Sequence, residues 1–83
     1  MYVVEFLPSA ARALARLDRA VQLRIARRVD RLAADPRADA VKLRAADELW
    51  RARVGDYRIL YSIEDTRLLV LVIKPGHRRD VYR

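Results

Sequence analysis

Cysteine is absent from this chain, histidine and tryptophan occur once each, and 83 residues hold only two glycines and three prolines. Without cysteine there are no disulfides, no thiolate nucleophile and no zinc–thiolate site. One histidine cannot build a His-based metal cluster, and no acidic group has ligand spacing, so neither a metal nor a cofactor is expected. The longest apolar run is LLVLVI, residues 68–73. That is far short of the ~20 residues that cross a bilayer, so no membrane partner is expected. The N-terminus, MYVVEFLPS, lacks a basic segment followed by a long apolar one. It does not read as a signal peptide, and a cytoplasmic protein is expected.

What is present is apolar surface and positive charge. Hydrophobic residues make up 53% of the chain and charged residues 35%, the balance of a globular domain rather than a disordered one. The length fits one domain, residues 1–83, with one core near the small end of what folds alone. A partner that adds buried surface suits such a core. Eighteen Lys plus Arg against eleven Asp plus Glu give +7, and sixteen of the eighteen cations are Arg. A compact field of that sign suits phosphate, an acidic protein or an anionic surface, although an arginine-rich solvated surface has the same composition.

Residues 2–7, YVVEFL, read as a strand, and Pro8 and Ser9 can end it and start a helix. SAARALARL, residues 9–17, spaces Leu14 and Leu17 as a helix does. Asp18 is a fair N-cap for a second helix, whose Val21, Ile25, Val29 and Leu32 form one apolar stripe. Asp35-Pro36 ends it, and residues 36–47 read as the one real loop. Three strands then follow, LWRARV at 49–54, YRILYSIE at 57–64 and RLLVLVIK at 67–74. Gly55-Asp56 suits a two-residue hairpin turn, and Asp65-Thr66 suits a second turn of weaker chemistry. Pro75-Gly76 stops the last strand. The expected architecture is an α+β fold in the order strand, helix, helix, strand, strand, strand. Its sheet is mostly antiparallel and four-stranded, its helical hairpin covers one face, and a basic C-terminal tail follows.

A two-residue turn at Gly55-Asp56 fixes a register. Val54 then pairs with Tyr57, Arg53 with Arg58, Ala52 with Ile59 and Trp50 with Tyr61. Side chains alternate along a strand, so Trp50, Ala52, Val54, Tyr57, Ile59 and Tyr61 share the face that can meet the helices. Arg51, Arg53 and Arg58 share the other. Like charges facing each other across strands are destabilising, so this face is expected to receive an anion unless Glu48, Glu64 or Asp80 neutralises it. The tail supplies His77, Arg78, Arg79, Tyr82 and Arg83. The same reading pairs Arg58 with Ile73 and sets Leu69, Leu71 and Ile73 on the basic face, beneath the tail.

Two stretches, KLRAADELWRARVGDYRILYSI at 42–63 and VIKPGHRRDVYR at 72–83, resemble the RelE branch of the RelE/ParE superfamily of bacterial type II toxins. The carriers are the Lys-Leu-Arg entry, the Arg-x-Gly-x-Tyr-Arg centre and the Gly-His-Arg-x-x-Val-Tyr ending. The resemblance covers the whole chain, and the helices add nothing specific to it. It implies a RelE-like fold and a toxin that enters the ribosome and cuts mRNA there, held in check by an acidic or amphipathic antitoxin in a hetero-oligomer. It also implies the site. Arg51 and Arg53 fall where the family often carries lysines, Arg58 on the Tyr-Arg arginine, Arg78 or Arg79 on the tail arginine, and Tyr82 on the C-terminal tyrosine. His77 falls where other branches place a catalytic-type histidine.

The chemistry such a site needs is consistent with these residues. Cleavage by the 2′-hydroxyl requires loss of its proton, stabilisation of a dianionic phosphorane and protonation of the leaving 5′-oxygen. Arginines supply charge and bidentate contacts to phosphate oxygens but are poor bases. His77 and Tyr82 are left as proton movers, and His77 titrates nearer physiological pH. Two other readings stay open. One is a ParE-like toxin that blocks DNA gyrase without cutting nucleic acid. The other is a basic RNA- or ribosome-binding module without toxicity.

Overall fold

The computed structural model describes residues 1–44 and 46–76. The elements are β1 (Val3–Phe6), α1 (Pro8–Ala15), α2 (Arg19–Ala34), β2 (Val41–Arg44), β3 (Leu49–Val54), β4 (Tyr57–Glu64) and β5 (Arg67–Pro75). They build an α+β fold with one five-stranded sheet in the order β1-β5-β4-β3-β2. β1 runs parallel to β5, and every other neighbouring pair is antiparallel.

Local chemistry accounts for the helix ends. Pro8 occupies the first turn of α1, where its missing N–H would have had no intrahelical partner. The Asp18 carboxylate accepts a hydrogen bond from the Val21 N–H at 3.0 Å and caps α2. Pro36 disfavours helical backbone at Asp35, and α2 ends at Ala34. The apolar stripe of α2 lies on the sheet as its spacing predicts. Ile25, Val29 and Leu32 are buried with Ala10 of α1 against Trp50, Ala52, Ile59, Tyr61, Ile63, Leu68, Val70 and Ile73, while Leu14, Leu17 and Val21 pack at the margin.

The fifth strand is a correction to the sequence reading. β2 lies inside the stretch 36–47 that reads as loop, and all four of its residues are exposed. An edge strand that buries neither face carries no alternation of apolar and polar residues to betray it. It is held by what precedes and faces it. The buried Arg28 guanidinium donates to the Ala38 and Asp39 carbonyls at 3.2 and 2.8 Å. The buried Tyr61 hydroxyl donates to the Pro36 carbonyl at 2.5 Å. The Trp50 ring carries Lys42 Nζ at 5.5 Å and the Arg37 guanidinium at 5.8 Å from its centroid. Its Nε1 donates to Glu48 at 2.7 Å.

A second correction concerns β5. Its register on β4 shifts between Leu60 and Tyr61, which face Val72 and Val70, so Leu71 is the extra residue of a bulge. Beyond the bulge the faces exchange. Ile73 faces Ile59 and is buried in the core, and Arg58 faces Lys74 rather than Ile73. Ile73 therefore lies on the helix side, not on the basic face.

Candidate functional site on the open face of the sheet

The β3–β4 hairpin has the expected register. Arg53 faces Arg58, Arg51 faces Leu60, and Ala52 faces Ile59. Gly55 turns the chain at φ 56°, a left-handed conformation that favours glycine. Because Ala52 and Ile59 are buried beneath the helices, the alternation directs Arg51, Arg53 and Arg58 to the opposite, helix-free face. Arg53 is exposed, and Arg51 and Arg58 are half-buried. The bulge at Leu71 adds Lys74 to the same row, so Arg53, Arg58 and Lys74 stand side by side across β3, β4 and β5.

Of the carboxylates expected to neutralise this face, Glu48 and Glu64 are engaged elsewhere, and Asp80 lies outside the described residues. Glu48 pairs with Arg37 at 3.1 Å and accepts from Trp50, and those two contacts, Trp50 first, hold its carboxyl below the usual range. Glu64 and Glu5 both pair with Arg67, whose guanidinium they hold more firmly charged. Asp47 pairs with Arg44 at 2.8 Å. Among the described residues, no ion pair joins Arg51, Arg53, Arg58 or Lys74 to a carboxylate. Arg58 Nε is buried without a hydrogen-bond partner among them. Nor does any group of three or more His, Asp or Glu among them have the geometry to hold a metal ion.

The end of β5 closes over this row. The Gly76 N–H donates to the Asp56 carbonyl in the hairpin turn at 2.6 Å, and Gly76 is buried against the Arg58 side chain. The chain thus leaves the sheet beside Arg58. His77, Arg78, Arg79 and Tyr82 lie outside the described residues. A face of converging cations, with the C-terminal segment starting at its rim, can hold a phosphate or another multiply charged anion.

Residues 4–82 match the family described as the ParE toxin of the type II toxin–antitoxin system parDE. The chain belongs to the RelE/ParE superfamily of type II toxins. A chain of the archaeal RelE–RelB complex from Pyrococcus horikoshii is similar at TM-score 0.83 and 33% identity, covering 93% of this chain and 97% of that one. The isolated Escherichia coli RelE toxin has the same fold at TM-score 0.84 and 22% identity, covering 99% of this chain and 92% of that one. In sequence, a RelE-like toxin protein of Escherichia coli is 28% identical over 85 aligned positions, 98% of this chain and 90% of the relative.

This RelE-like toxin carries two features at the site that its sequence does not announce. Lys74 enters the row only through the bulge, which an unbroken apolar run conceals. Gly76 reads as a strand stop, yet in the structure it also makes room for Arg58. A glycine just past the end of β5, two residues after Lys74, is the signal in the sequence that fits such a close approach. Among the described residues, no helix is long and apolar enough to cross a membrane.

Proposed function

We propose that this toxin is a metal-independent endoribonuclease that cuts mRNA on the ribosome and so inhibits translation. The observation that carries the reading is the convergence of Arg51, Arg53 and Arg58 on one face with no carboxylate partner among the described residues. Cations facing each other across strands are retained against their repulsion where an anion is to be held. Arg58, flanked by Arg53 and placed beside the start of the tail, holds the scissile phosphate and stabilises the phosphorane charge. Arg51 and Arg53 hold the substrate backbone. Arg78 or Arg79 adds charge from the tail, and His77 or Tyr82 moves the proton. A single domain, residues 1–83, carries the whole activity in the cytoplasm.

The partner in this reading is an antitoxin that is amphipathic and at least partly acidic, held in a hetero-oligomer. The solved relatives include RelE–RelB complexes, which support it. So does an apolar groove of about 420 Å³ between β1, α1 and α2, lined by Phe6, Leu14, Leu23 and Ala26 with Arg19 on its wall. The apolar stripe of a helix fits the groove, and acidic residues beside that stripe meet the arginine.

The test is induced expression followed by primer extension on cellular mRNA. Growth arrest with mRNA cuts in codon register supports the reading. DNA damage with intact mRNA supports instead a gyrase-directed toxin, the reading that the ParE family match favours. Absence of toxicity leaves a basic binding module. An Arg58→Ala protein that is folded, binds ribosomes and cuts as fast as the parent ends the assignment of this face as the active site.

A further inference from the structure

We infer that Lys74 is a substrate-contacting residue of this site, the third member of a phosphate-binding row with Arg53 and Arg58. The inference rests on the RNA reading above and extends it to a residue that no sequence pattern marks. Three observations carry it. The first is register. Arg58 faces Arg53 on one side and Lys74 on the other, so two successive cross-strand pairs are like-charged. Directly opposed side chains approach within ~5 Å at Cβ, and such pairs oppose folding. The second is the absence of neutralisation. Lys74 is exposed and makes no ion pair with a carboxylate among the described residues.

The third is the local architecture that puts Lys74 there. Without the bulge at Leu71, regular alternation would place Ile73 opposite Arg58 and turn Lys74 to the helix side. The bulge exchanges those faces, burying Ile73 and delivering a cation to the open face in one step. β1 pairs only with residues 67–70, so among the described residues no strand flanks β5 on that side at Lys74 and a ligand can approach along the row. The other lysine, Lys42, is occupied over the Trp50 ring. An ammonium on a flexible stem complements two guanidinium forks, because it follows a phosphate oxygen as a point charge without demanding planar geometry.

The experiment measures binding of a short labelled single-stranded oligoribonucleotide over a salt series, using the full chain and its Lys74→Gln, Lys74→Arg and Lys42→Gln variants. Each phosphate contact on a single strand contributes ~0.7 to the slope of log K against log salt. Lys74→Gln should lower that slope by about 0.7 relative to the parent. Lys74→Arg should restore it. Lys42→Gln makes the same change in net charge and should leave the slope unaltered. Lys74→Gln should also melt no lower than the parent, since a repulsive pair has been removed. An unchanged slope in Lys74→Gln overturns the inference, as does an equal fall in Lys42→Gln. Loss of antitoxin association in Lys74→Gln with RNA binding intact also overturns it, making the row a protein contact. A parent chain with no salt-dependent RNA affinity overturns the RNA reading itself and takes this inference with it.

Discussion

Gly76 lies so close to Arg58 that a Cβ on it would come within 2.5 Å of Nε, 2.6 Å of Cγ and 2.9 Å of Cδ. The near atoms include Cγ, at the root of the side chain, so rotation of the guanidinium alone cannot relieve the clash. An alanine there must expel Arg58 from its place.

Gly76→Ala should therefore reproduce the loss expected of Arg58→Ala, on the order of 10²–10³ in cleavage rate. Gly76 does not adopt a positive φ, so the alanine adds no backbone strain, and any fall in melting temperature reports the clash with Arg58 and should vanish in the Arg58→Ala background. A double-mutant cycle separates positioning from general damage. In the Arg58→Ala background, Gly76→Ala should have no further effect. Additive losses would show that Gly76 acts on something other than Arg58.

Burial pushes the Tyr61 hydroxyl up to about 12, and that group should control stability in alkali. Its pKa is higher folded than unfolded, so the unfolded chain loses the proton first. The stabilising contribution is complete below about pH 10 and disappears as pH rises from 10 through 12. Unfolding free energy should fall by about 1.4 kcal/mol per pH unit across that window. Denaturant titration at a series of pH values checks it. Tyr61→Phe should flatten the dependence while costing about 1–3 kcal/mol at neutral pH, because the Pro36 carbonyl loses its buried donor.

The single tryptophan offers a probe at the other extreme of pH. Hydrogen bonds from Trp50 and then Arg37 favour ionised Glu48 in the fold. The stabilisation they give is present above the ordinary carboxylate range and lost as pH falls through the lowered folded value. Trp50 fluorescence should show an acid transition below the ordinary carboxylate pKa, and Glu48→Gln should remove it. A transition that persists in Glu48→Gln would place the titrating group elsewhere.

A chain of net charge +7 should meet an acidic antitoxin by electrostatic steering. Stopped-flow association should be fast at low salt and slow markedly as salt rises, with dissociation changing less. An association rate that ignores salt would assign recognition to apolar contact alone.

How far the sequence reveals this molecule depends on whether a segment keeps one face dry. α2 and the β3–β4 hairpin do, and their stripe, cap, turn and register can all be read from Asp18, Ile25, Gly55 and the Trp50–Tyr61 pair. β2 hides because Val41–Arg44 is exposed throughout. β5 hides for the opposite reason. In LLVLVI every position is apolar, so nothing marks where Leu71 breaks the alternation, and the error carries Ile73 and Lys74 to the wrong faces. Arg51, Arg53 and Arg58 could be placed together because the hairpin turn alone sets them. His77, Arg78, Arg79 and Tyr82 lie outside the described residues, and the hairpin register says nothing of where they go.

The parallel pairing of β1 with β5 also sets an order of events. Glu5 and Arg67, which join those strands through a side-chain ion pair, are 62 residues apart in the chain. The first strand made must wait for the last, because β5 stands between it and the rest of the sheet. Translation proceeds at ~5–20 residues per second, so β1 spends seconds without a neighbour while the helices and hairpin emerge. Lys74 and Gly76 come later still, at the far end of β5. The cationic row is thus assembled only when β5 docks on β4, so the step that gives β1 its strand neighbour also sets Lys74 beside Arg58.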